Sequence, residues 1–543
     1  MAAQFRRFSL IFALPLIVTV FFAFIIPYSA SFWAFLSSRE AVSIWKNTAL
    51  LRITLFTLKQ AFFSVLLSLA IGLPGAWLIG TGKSPLLRTL SSIPFAIPSI
   101  LTVLGFVLFF GNSGWLNKLI FTFFGISPLK ILYKPEAVIL AHTFLNFPLV
   151  IRLVGDGLAR ARKAYAPTAA SLGASPLVTV FTVILPLAFP SLMSSALLVF
   201  LYSFTSFAVV LVLGGGPAST TLSVEIYRYA RIFLNYPNAG ALAFIETLIA
   251  ILVFLAYLFF GKIAYGIKID THERIYDDKK PNLVLKIITI TYFIFMAVFV
   301  LGPIISIIIE SFLYRPTRSA SVLFRLTWWQ SLGETCIPAF FRSLVLSFLS
   351  ASLACAISFF GAGTVKLLEG QEEQRKAFGA SMFRFLAAAP LVSSGIVLGL
   401  GWLIVYGRGV SSFPLALVLL HALIALPFAF NSISEGFRSL PENILNAALV
   451  SGAPPLRMLL TTALPLSLPR IRSAWGFSAA LSLGELNAVM MLGIQDWETL
   501  PLYIYRAVGA YRYGNACAAG TLLILSLAAG LFLSEWGRKK YGS

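Results

Sequence analysis

The side chains that could carry out chemistry in this sequence are few, and most of them interrupt long apolar runs. Glu246 and Glu485 stand inside two such runs, and His142 and His421 stand inside two others. An ionisable group inside a membrane span is a functional candidate by default, because burying its charge is costly. A carboxylate would attract a cation, whereas the histidines would suit a metal such as iron. For the histidines helix packing is the favoured interpretation. For Glu246 the favoured interpretation is a structural pair with an arginine or a helix end that reaches water, and for Glu485 this structural role and a functional role remain open.

One short motif, Gly82-Lys83-Ser84, has the form of the end of a phosphate-binding loop. That loop needs a second glycine five positions before Gly82, and Trp77 stands there. The three cysteines, Cys336, Cys355 and Cys517, fit no metal-binding spacing and no disulfide framework. We therefore predict no catalytic residue, no metal ligand and no cofactor in this chain.

The composition indicates which solvent surrounds the protein. Hydrophobic residues make up 59% of the 543 residues, charged residues 11%, and the mean hydropathy is +0.90. Soluble domains carry roughly 25% charged residues, so a bilayer is the natural environment. The net charge of +21 comes mostly from lysines and arginines in short loops. This pattern sets membrane topology, and it does not build the basic folded face that nucleic acid requires.

The elements that must position these residues are membrane-spanning helices. A span needs about 20 apolar residues, and lipid-exposed irregular backbone is not tolerated. The sequence therefore predicts an all-α membrane protein of twelve transmembrane helices. The candidates lie near 8–28, 51–79, 93–111, 136–154, 190–213, 242–265, 283–310, 342–366, 385–406, 412–432, 472–493 and 516–535.

The basic loops predict the orientation. Placing both termini in the cytoplasm puts most lysine and arginine clusters on the cytoplasmic side. The most polar stretch between two spans lies at the middle of the chain. We therefore predict a first half of six spans at 1–270, a cytoplasmic linker at 271–281, and a second half of six spans at 282–543.

The two halves are internal repeats. A shift of 279 residues places His142 on His421, Gly173 on Gly452, and Pro186 on Pro465. Upstream the shift is 296 residues, so the loop after the third span is 17 residues longer in the first half. Because each half has an even number of spans, the halves are predicted to be parallel repeats.

A long cytoplasmic segment follows the fourth span of each half. Both segments contain small residues, then a glycine, then a Leu-Pro pair whose proline lies 13 residues after the glycine. Small residues let a short helix pack closely against a partner, glycine permits a sharp turn, and proline suits a helix start. The positions concerned are Thr168, Ala169, Gly173, Leu185 and Pro186 in the first half, and Ala447, Ala448, Gly452, Leu464 and Pro465 in the second.

These segments resemble the coupling loops of ABC importer permeases, whose pattern is Glu-Ala-Ala, three residues, Gly, nine residues, Ile, one residue and Leu-Pro. The family's Glu is replaced by Pro167 and Asn446 here, so docking must rest on shape and on nearby basic residues. The resemblance implies a permease in a bacterial inner membrane that performs no covalent chemistry. It also implies two partners: an ATPase, expected as a homodimer, and an extracytoplasmic substrate-binding protein.

Two outer segments indicate the substrate. The run Leu213-Gly214-Gly215-Gly216-Pro217 and the run Thr499-Leu500-Pro501-Leu502-Tyr503 resemble those of thiamine-importer permeases, and the resemblance covers nearly the whole chain. It implies transport of thiamine or a phosphorylated thiamine. Ferric-iron permeases share the fused layout and give the alternative substrate. An ion-coupled secondary transporter is the alternative class, although it would need more intramembrane acids and histidines.

A cation with two aromatic rings needs aromatic faces and an acidic group along its path. We predict that the path is lined by Phe204, Phe207, Trp402, Tyr406 and Glu485. Membrane aromatics are more often packing residues, which is the alternative for the four rings.

The outer loops carry basic residues. We predict that these basic residues dock acidic rims of the binding protein, because opposite charges steer such encounters. Anchoring to lipid headgroups is the alternative. The residues are Arg228, Arg231, Arg506 and Arg512.

Overall fold

The computed structural model describes residues 2–37, 48–80, 90–91, 93–94, 97–216, 219–265, 283–314, 323–369, 374–410, 414–441, 443–444, 447, 450–451, 453–494 and 497–536. Gly82-Lys83-Ser84, the linker at 271–281, Ala448 and Gly452 lie outside these residues.

The first half consists of helices interrupted by short π-helical segments, which we label π. Its elements are α1 (Ala2–Thr19), π1 (Val20–Ile25), α2 (Ile26–Leu36), α3 (Thr48–Gly80), α4 (Ser99–Phe110), α5 (Trp115–Phe124), α6 (Pro135–Ser171), α7 (Pro176–Thr179), π2 (Val180–Ile184), α8 (Leu185–Phe204), α9 (Ala208–Leu213), α10 (Leu222–Tyr227), π3 (Arg228–Ile232) and α11 (Tyr236–Tyr265).

The second half is built in the same way, with one small addition. Two two-residue strands pair antiparallel, Leu313 opposite Phe324. The elements are α12 (Leu283–Glu310), β1 (Leu313–Tyr314), β2 (Leu323–Phe324), α13 (Thr327–Gln330), α14 (Gly333–Glu369), α15 (Gln374–Ala388), a 3₁₀ turn (Ala389–Val392), α16 (Gly395–Val410), α17 (Leu415–Arg438), α18 (Pro455–Met458), π4 (Leu459–Ala463), α19 (Leu464–Gly484), α20 (Asn487–Leu492), α21 (Leu500–Gly509) and α22 (Tyr513–Trp536).

The prediction of an all-α membrane protein is confirmed. Within the described chain, ten helices are long and apolar enough to cross a membrane, and a pair bent by 96° at Ser393–Ser394 raises the number to eleven. The predicted span near 472–493 falls on α19 and α20, which are not among them. Helix α19 contains Arg470 and Arg472, and the backbone leaves helical geometry at Glu485, where ψ is 121°. The polar residues and this break explain why the count differs from twelve.

The chain forms two compact units, each assembled from separate stretches of sequence. Unit 1 comprises Met1–Val42, Ile226–Phe244 and Ser311–Ser543, and unit 2 comprises Ser43–Glu225 and Ile245–Glu310. The first helix of the chain therefore packs within the unit that contains most of the second half. Helix α12, the first of the second half, packs within the unit that contains most of the first half.

Unit 2 is held together by close packing of α3, α6 and α8. Its core includes Val150, Val154, Leu158 and Ile184. A side chain at Gly72 would come within 2.8 Å of Val150, so the glycine allows α3 and α6 to approach closely.

In unit 1, α16 packs on α2 and forms hydrogen bonds to π1. The indole Nε1 of Trp402 donates to the carbonyl of Ala23 at 2.9 Å, and the hydroxyl of Tyr406 donates to the carbonyl of Phe22 at 2.8 Å. Both acceptors lie in π1, where the widened turn makes carbonyls available. These two bonds fix the first helix against the second half.

Candidate functional site

The turn after α6 in unit 2, which the sequence predicts to be cytoplasmic, has a geometry that requires glycine. The N–H of Gly173 donates to the carbonyl of Ala170, and the N–H of Ala174 donates to that of Ala169, both at 3.0 Å. This pair of bonds is a Schellman motif, whose glycine adopts a left-handed conformation. Gly173 has φ of +81°. The glycine predicted from the sequence is therefore the residue that ends the long fourth span.

A short helix begins directly after this turn. Ser175 is the N-cap of α7, because its hydroxyl accepts from the N–H of Val178 at 3.4 Å. Pro176 follows at the first helical position, where its missing N–H leaves no bond unmade. The sequence Gly-Ala-Ser-Pro thus reverses the chain within a few residues and starts a new helix.

The turn and the short helix expose apolar side chains. Leu172 is 82% exposed, Leu177 73% and Phe181 67%. Ala169 is buried, whereas Thr168, Leu185 and Pro186 are exposed. Apolar side chains this exposed are expected to contact a partner. Leu172, Leu177 and Phe181 were not singled out from the sequence, although the 279-residue repeat aligns two of them with leucines.

The equivalent segment of the second half lies in unit 1. Ala447 is exposed, and the N–H of Ser451 donates to its carbonyl at 3.0 Å. Val450 is 89% exposed. Leu456 and Leu460 align with Leu177 and Phe181 and are also exposed.

The two segments match element by element. A shift of 279 residues places α7 on α18, π2 on π4, and Leu185-Pro186 on Leu464-Pro465. The repeat predicted from single residues therefore extends to the helix types.

The aromatic residues predicted to line a path all have packing partners. The rings of Trp402 and Tyr406 lie 4.9 Å apart in unit 1. In unit 2 the ring of Phe204 stacks on Phe200 at 5.7 Å, and Phe207 is buried as the N-cap of α9. Packing and lining are compatible roles, so the path assignment stays a prediction.

Glu485 lies in the break between α19 and α20. Its Oε1 accepts from the backbone N–H of Ala488 at 3.1 Å. A carboxylate in this place stabilises the start of α20, because the first N–H groups of a helix have no partner inside it. Glu485 therefore has a structural role through its Oε1 atom. The residue as a whole is half-buried.

The four predicted docking arginines differ in their surroundings. Arg506 forms an ion pair with Glu498 at 2.9 Å, and Arg231 lies against Gly493, where its guanidinium fills the space of a side chain. The guanidinium of Arg228 lies 5.6 Å from the ring of Phe233. Arg512 is exposed. All four belong to unit 1.

The charges of two of these arginines act on a partly buried tyrosine, Tyr227. Burial raises the pKa of Tyr227, and the positive charges of Arg231 and Arg506 oppose that rise. One arginine from each repeat, Arg231 and Arg506, therefore influences the pKa of Tyr227 within unit 1.

The two histidines are packing residues of the spans. In unit 2, Nδ1 of His142 donates to Oε1 of Gln60 at 2.9 Å, and Nε2 of Gln60 donates to the carbonyl of Ser203 at 2.9 Å. In unit 1, Nδ1 of His421 lies 2.9 Å from the hydroxyl of Ser482, which aligns with Ser203. Among the described residues no group of three or more histidine, cysteine or acidic side chains is arranged to hold a metal ion.

Comparison with known proteins places the chain among transport proteins. Residues 69–267 match the family described as "Binding-protein-dependent transport system inner membrane component". The chain is 29% identical over 499 residues to the thiamine transport system permease protein ThiP of Brucella suis, covering 89% of this chain and 86% of that protein.

Two further relatives define the range of similarity. The ThiP protein of Haemophilus influenzae is 29% identical over 484 residues, covering 87% of this chain and 86% of that protein. The ferric transport system permease protein FbpB of Actinobacillus pleuropneumoniae is 24% identical over 464 residues, covering 83% of this chain and 65% of that protein.

Proposed function

We propose that this chain is the inner membrane component of a binding-protein-dependent transport system, because residues 69–267 match that family, and that it forms the path by which an ABC importer carries thiamine across the membrane. It is a transport subunit and not an enzyme. The observation that carries the proposal is the pair of equivalent segments, each with an exposed apolar face and a Leu-Pro helix start. Gly173 has left-handed φ in the first segment, and Gly452 aligns with it in the second.

The exposed apolar side chains are the proposed docking surface for the ATPase. We call Leu172, Leu177 and Phe181 the first docking face, and Val450, Leu456 and Leu460 the second. Neither segment has the family's carboxylate, since Pro167 and Asn446 stand there. Burial of apolar surface then supplies the binding free energy, at about 25 cal/mol per Å² removed from water.

The long fourth span is suited to transmit force. Helix α6 has 37 residues, which corresponds to about 55 Å at the rise of an α-helix. Its Schellman turn lies at the cytoplasmic end, beside the first docking face. ATP binding closes the ATPase dimer, the docking faces move with it, and the helices open the path towards the binding protein.

Thiamine is the proposed substrate because the relatives that cover most of the chain are named as thiamine permeases. The same proposal extends to a phosphorylated thiamine. Aromatic side chains and Glu485 suit a cationic ring system. Ferric iron is the second candidate, because a relative of lower identity and coverage is named as a ferric transport permease.

The partners follow from the family, and their details are proposals. The chain requires an ATPase and a substrate-binding protein. We propose that the ATPase is a homodimer, with one subunit on each docking face, because the two faces are repeats of one design. We also propose that both termini lie in the cytoplasm, as the basic loops indicate.

The docking faces are tested by charge introduction. We expect the double variant Leu177→Asp, Leu456→Asp to lose at least about tenfold in affinity for the ATPase, because a charge replaces a central apolar contact. The matched control is Ser127→Asp, an exposed polar position on a loop predicted to be extracytoplasmic. The measurement is the amount of ATPase that co-purifies with the membrane-inserted permease. Equal recovery with both variants would remove the docking assignment.

A further inference from the structure

Four segments within the described part of the chain have π geometry, and three of them are followed by a proline at the same spacing. Each of π1, π2 and π4 ends two residues before a proline: Pro27, Pro186 and Pro465. Proline has no N–H, so it cannot donate to the carbonyl four residues earlier. The N–H of the residue before the proline donates instead to the carbonyl five residues earlier in the chain. Leu185 donates to the carbonyl of Val180, and Leu464 donates to that of Leu459.

The two π segments beside the docking faces have a second feature in common. The hydroxyl of Thr182 donates to the carbonyl of Val178 at 2.7 Å, and that of Thr461 donates to the carbonyl of Arg457 at 2.6 Å. The threonines are equivalent under the 279-residue shift. The third residue of π1 is Phe22, which has no hydroxyl. Proline alone does not produce a π turn, because Pro74, Pro148 and Pro427 lie inside regular α-helices. In π2 and π4, where the docking faces meet the spans, the threonine bond accompanies the proline.

A threonine bonded to the carbonyl four residues earlier bends and loosens a helix. Here the bond engages a carbonyl at the junction of the short helix and the π turn. If the π turn became α-helical, the preceding segment would shift by one residue and rotate by about 100° relative to the span. Such a rotation would turn Leu177 and Leu456 away from the direction in which they now point.

We propose that Thr182 and Thr461 are positioning residues that hold the two π turns, and that these turns set the rotation of each docking face relative to its spanning helix. The inference rests on the proposed function of the two segments as ATPase-coupling loops. The threonines fix the rotation of each docking face about the axis of its spanning helix, α8 or α19, and so the direction in which movement of the face displaces that helix.

The test uses variants that remove only the hydroxyl. Valine keeps the shape of threonine, so the double variant Thr182→Val, Thr461→Val removes both bonds. The double variant Thr182→Ser, Thr461→Ser keeps the hydroxyls and is the matched control. Thr54→Val is a second control, because Thr54 makes the same type of bond, at 2.9 Å to the carbonyl of Leu50, inside the regular helix α3.

The complex with its ATPase and binding protein is reconstituted in liposomes. The readouts are substrate transported per ATP hydrolysed and the amount of ATPase retained. The probe is thiamine, or ferric iron if the parent complex responds to iron alone. We expect the valine pair to transport about tenfold less per ATP, the size of a typical coupling free energy, and to retain the ATPase. The serine pair and Thr54→Val should match the parent.

Three results would overturn the inference: normal coupling in the valine pair, loss of the ATPase from it, or equal failure of the serine pair. The last would show that the hydroxyl is not the determinant. Failure of the proposed function is recognised separately. If Leu177→Asp, Leu456→Asp left ATPase binding and transport intact, the segments would not be coupling loops at all.

Discussion

At the scale of single residues, Gly173 carries the most specific requirement. Its φ of +81° is unfavourable for a side chain, and an added Cβ would meet nothing within 4 Å. The requirement is therefore one of backbone conformation and not of space. It ends α6 at the place where the first docking face begins.

Gly173→Val should therefore reduce transport strongly. A branched side chain in the left-handed region costs about 1–2 kcal/mol or more, so the Schellman turn opens and the docking face is displaced. Uptake into proteoliposomes measures the effect. Gly173→Asn is the control, because asparagine tolerates this conformation and should keep most activity. Equal activity of the valine variant and the parent would contradict the role of the turn.

The buried polar network around His142 is a second residue-scale feature. Gln60 bonds His142 and the carbonyl of Ser203 within unit 2, and Asn146 donates to the hydroxyl of Ser203 at 3.1 Å. In the second half, Ala425 aligns with Asn146. The network around His142 in the first half thus has more members than the equivalent pair in the second half, which consists of His421 and Ser482.

Removing one partner from this network should destabilise unit 2. Gln60→Leu leaves Nδ1 of His142 without its acceptor, at a cost of about 1–3 kcal/mol, whereas replacing both residues by leucine should cost less. The thermal midpoint in detergent is the measurement for the single and double variants. A double variant that is less stable by the sum of both single effects would argue against a direct bond.

At the scale of elements, the first half has an outer hairpin with no counterpart of equal length. The 17 additional residues predicted after the third span fall in the region of α5 and the irregular segment that leads to α6. Asn117 closes this hairpin: its Nδ2 donates to the carbonyls of Gly111 and Leu129, and its Oδ1 accepts from the N–H of Leu129 at 2.9 Å. Trp115 also donates to Glu310 at 3.0 Å within unit 2.

We expect Asn117→Ala to open this hairpin. Three bonds to a buried side chain are lost, each worth about 0.5–1.5 kcal/mol. Faster proteolysis between residues 118 and 130 in oriented vesicles is the readout, and transport should change less than in Gly173→Val. Asn112→Ala, at an exposed position of the same loop, is the control. Unchanged protease resistance would show that the fold of the hairpin does not depend on Asn117.

The outer arginines form another element-scale prediction. Arg512 is exposed, whereas Arg506 is already paired with Glu498. We expect Arg512→Glu to weaken association of the binding protein more at low salt than at high salt, because exposed charges are screened. Surface plasmon resonance at two ionic strengths measures it. A salt-independent affinity equal to that of the parent would favour lipid anchoring of this residue.

The elements also show what could be predicted from the sequence. The spans follow from apolar runs, and the two equivalent segments between spans follow from aligned Gly and Leu-Pro residues, because these patterns are local. The contacts of Trp402 and Tyr406 with π1 are not local, since almost 400 residues separate the partners. The docking faces were missed because exposed leucines cannot be told from lipid-facing ones in an apolar sequence. The π turns could not be predicted from proline position alone, because Pro74, Pro148 and Pro427 lie inside regular α-helices.

At the scale of the whole molecule, one design is used twice. The sequence α7, π2, α8, α9 of the first half recurs as α18, π4, α19, α20 in the second, at a constant shift of 279 residues. The first helix of each half packs within the unit that holds most of the other half.

The most direct test of the proposed function is substrate-dependent ATP hydrolysis in proteoliposomes that hold this chain, its ATPase and its binding protein. Thiamine and ferric iron are compared at equal concentrations of binding protein. We predict that thiamine stimulates hydrolysis, that iron does not, and that Leu177→Asp, Leu456→Asp abolishes the response. Stimulation by iron alone would contradict the proposed substrate, and a response that survives the aspartate substitutions would contradict the coupling loops.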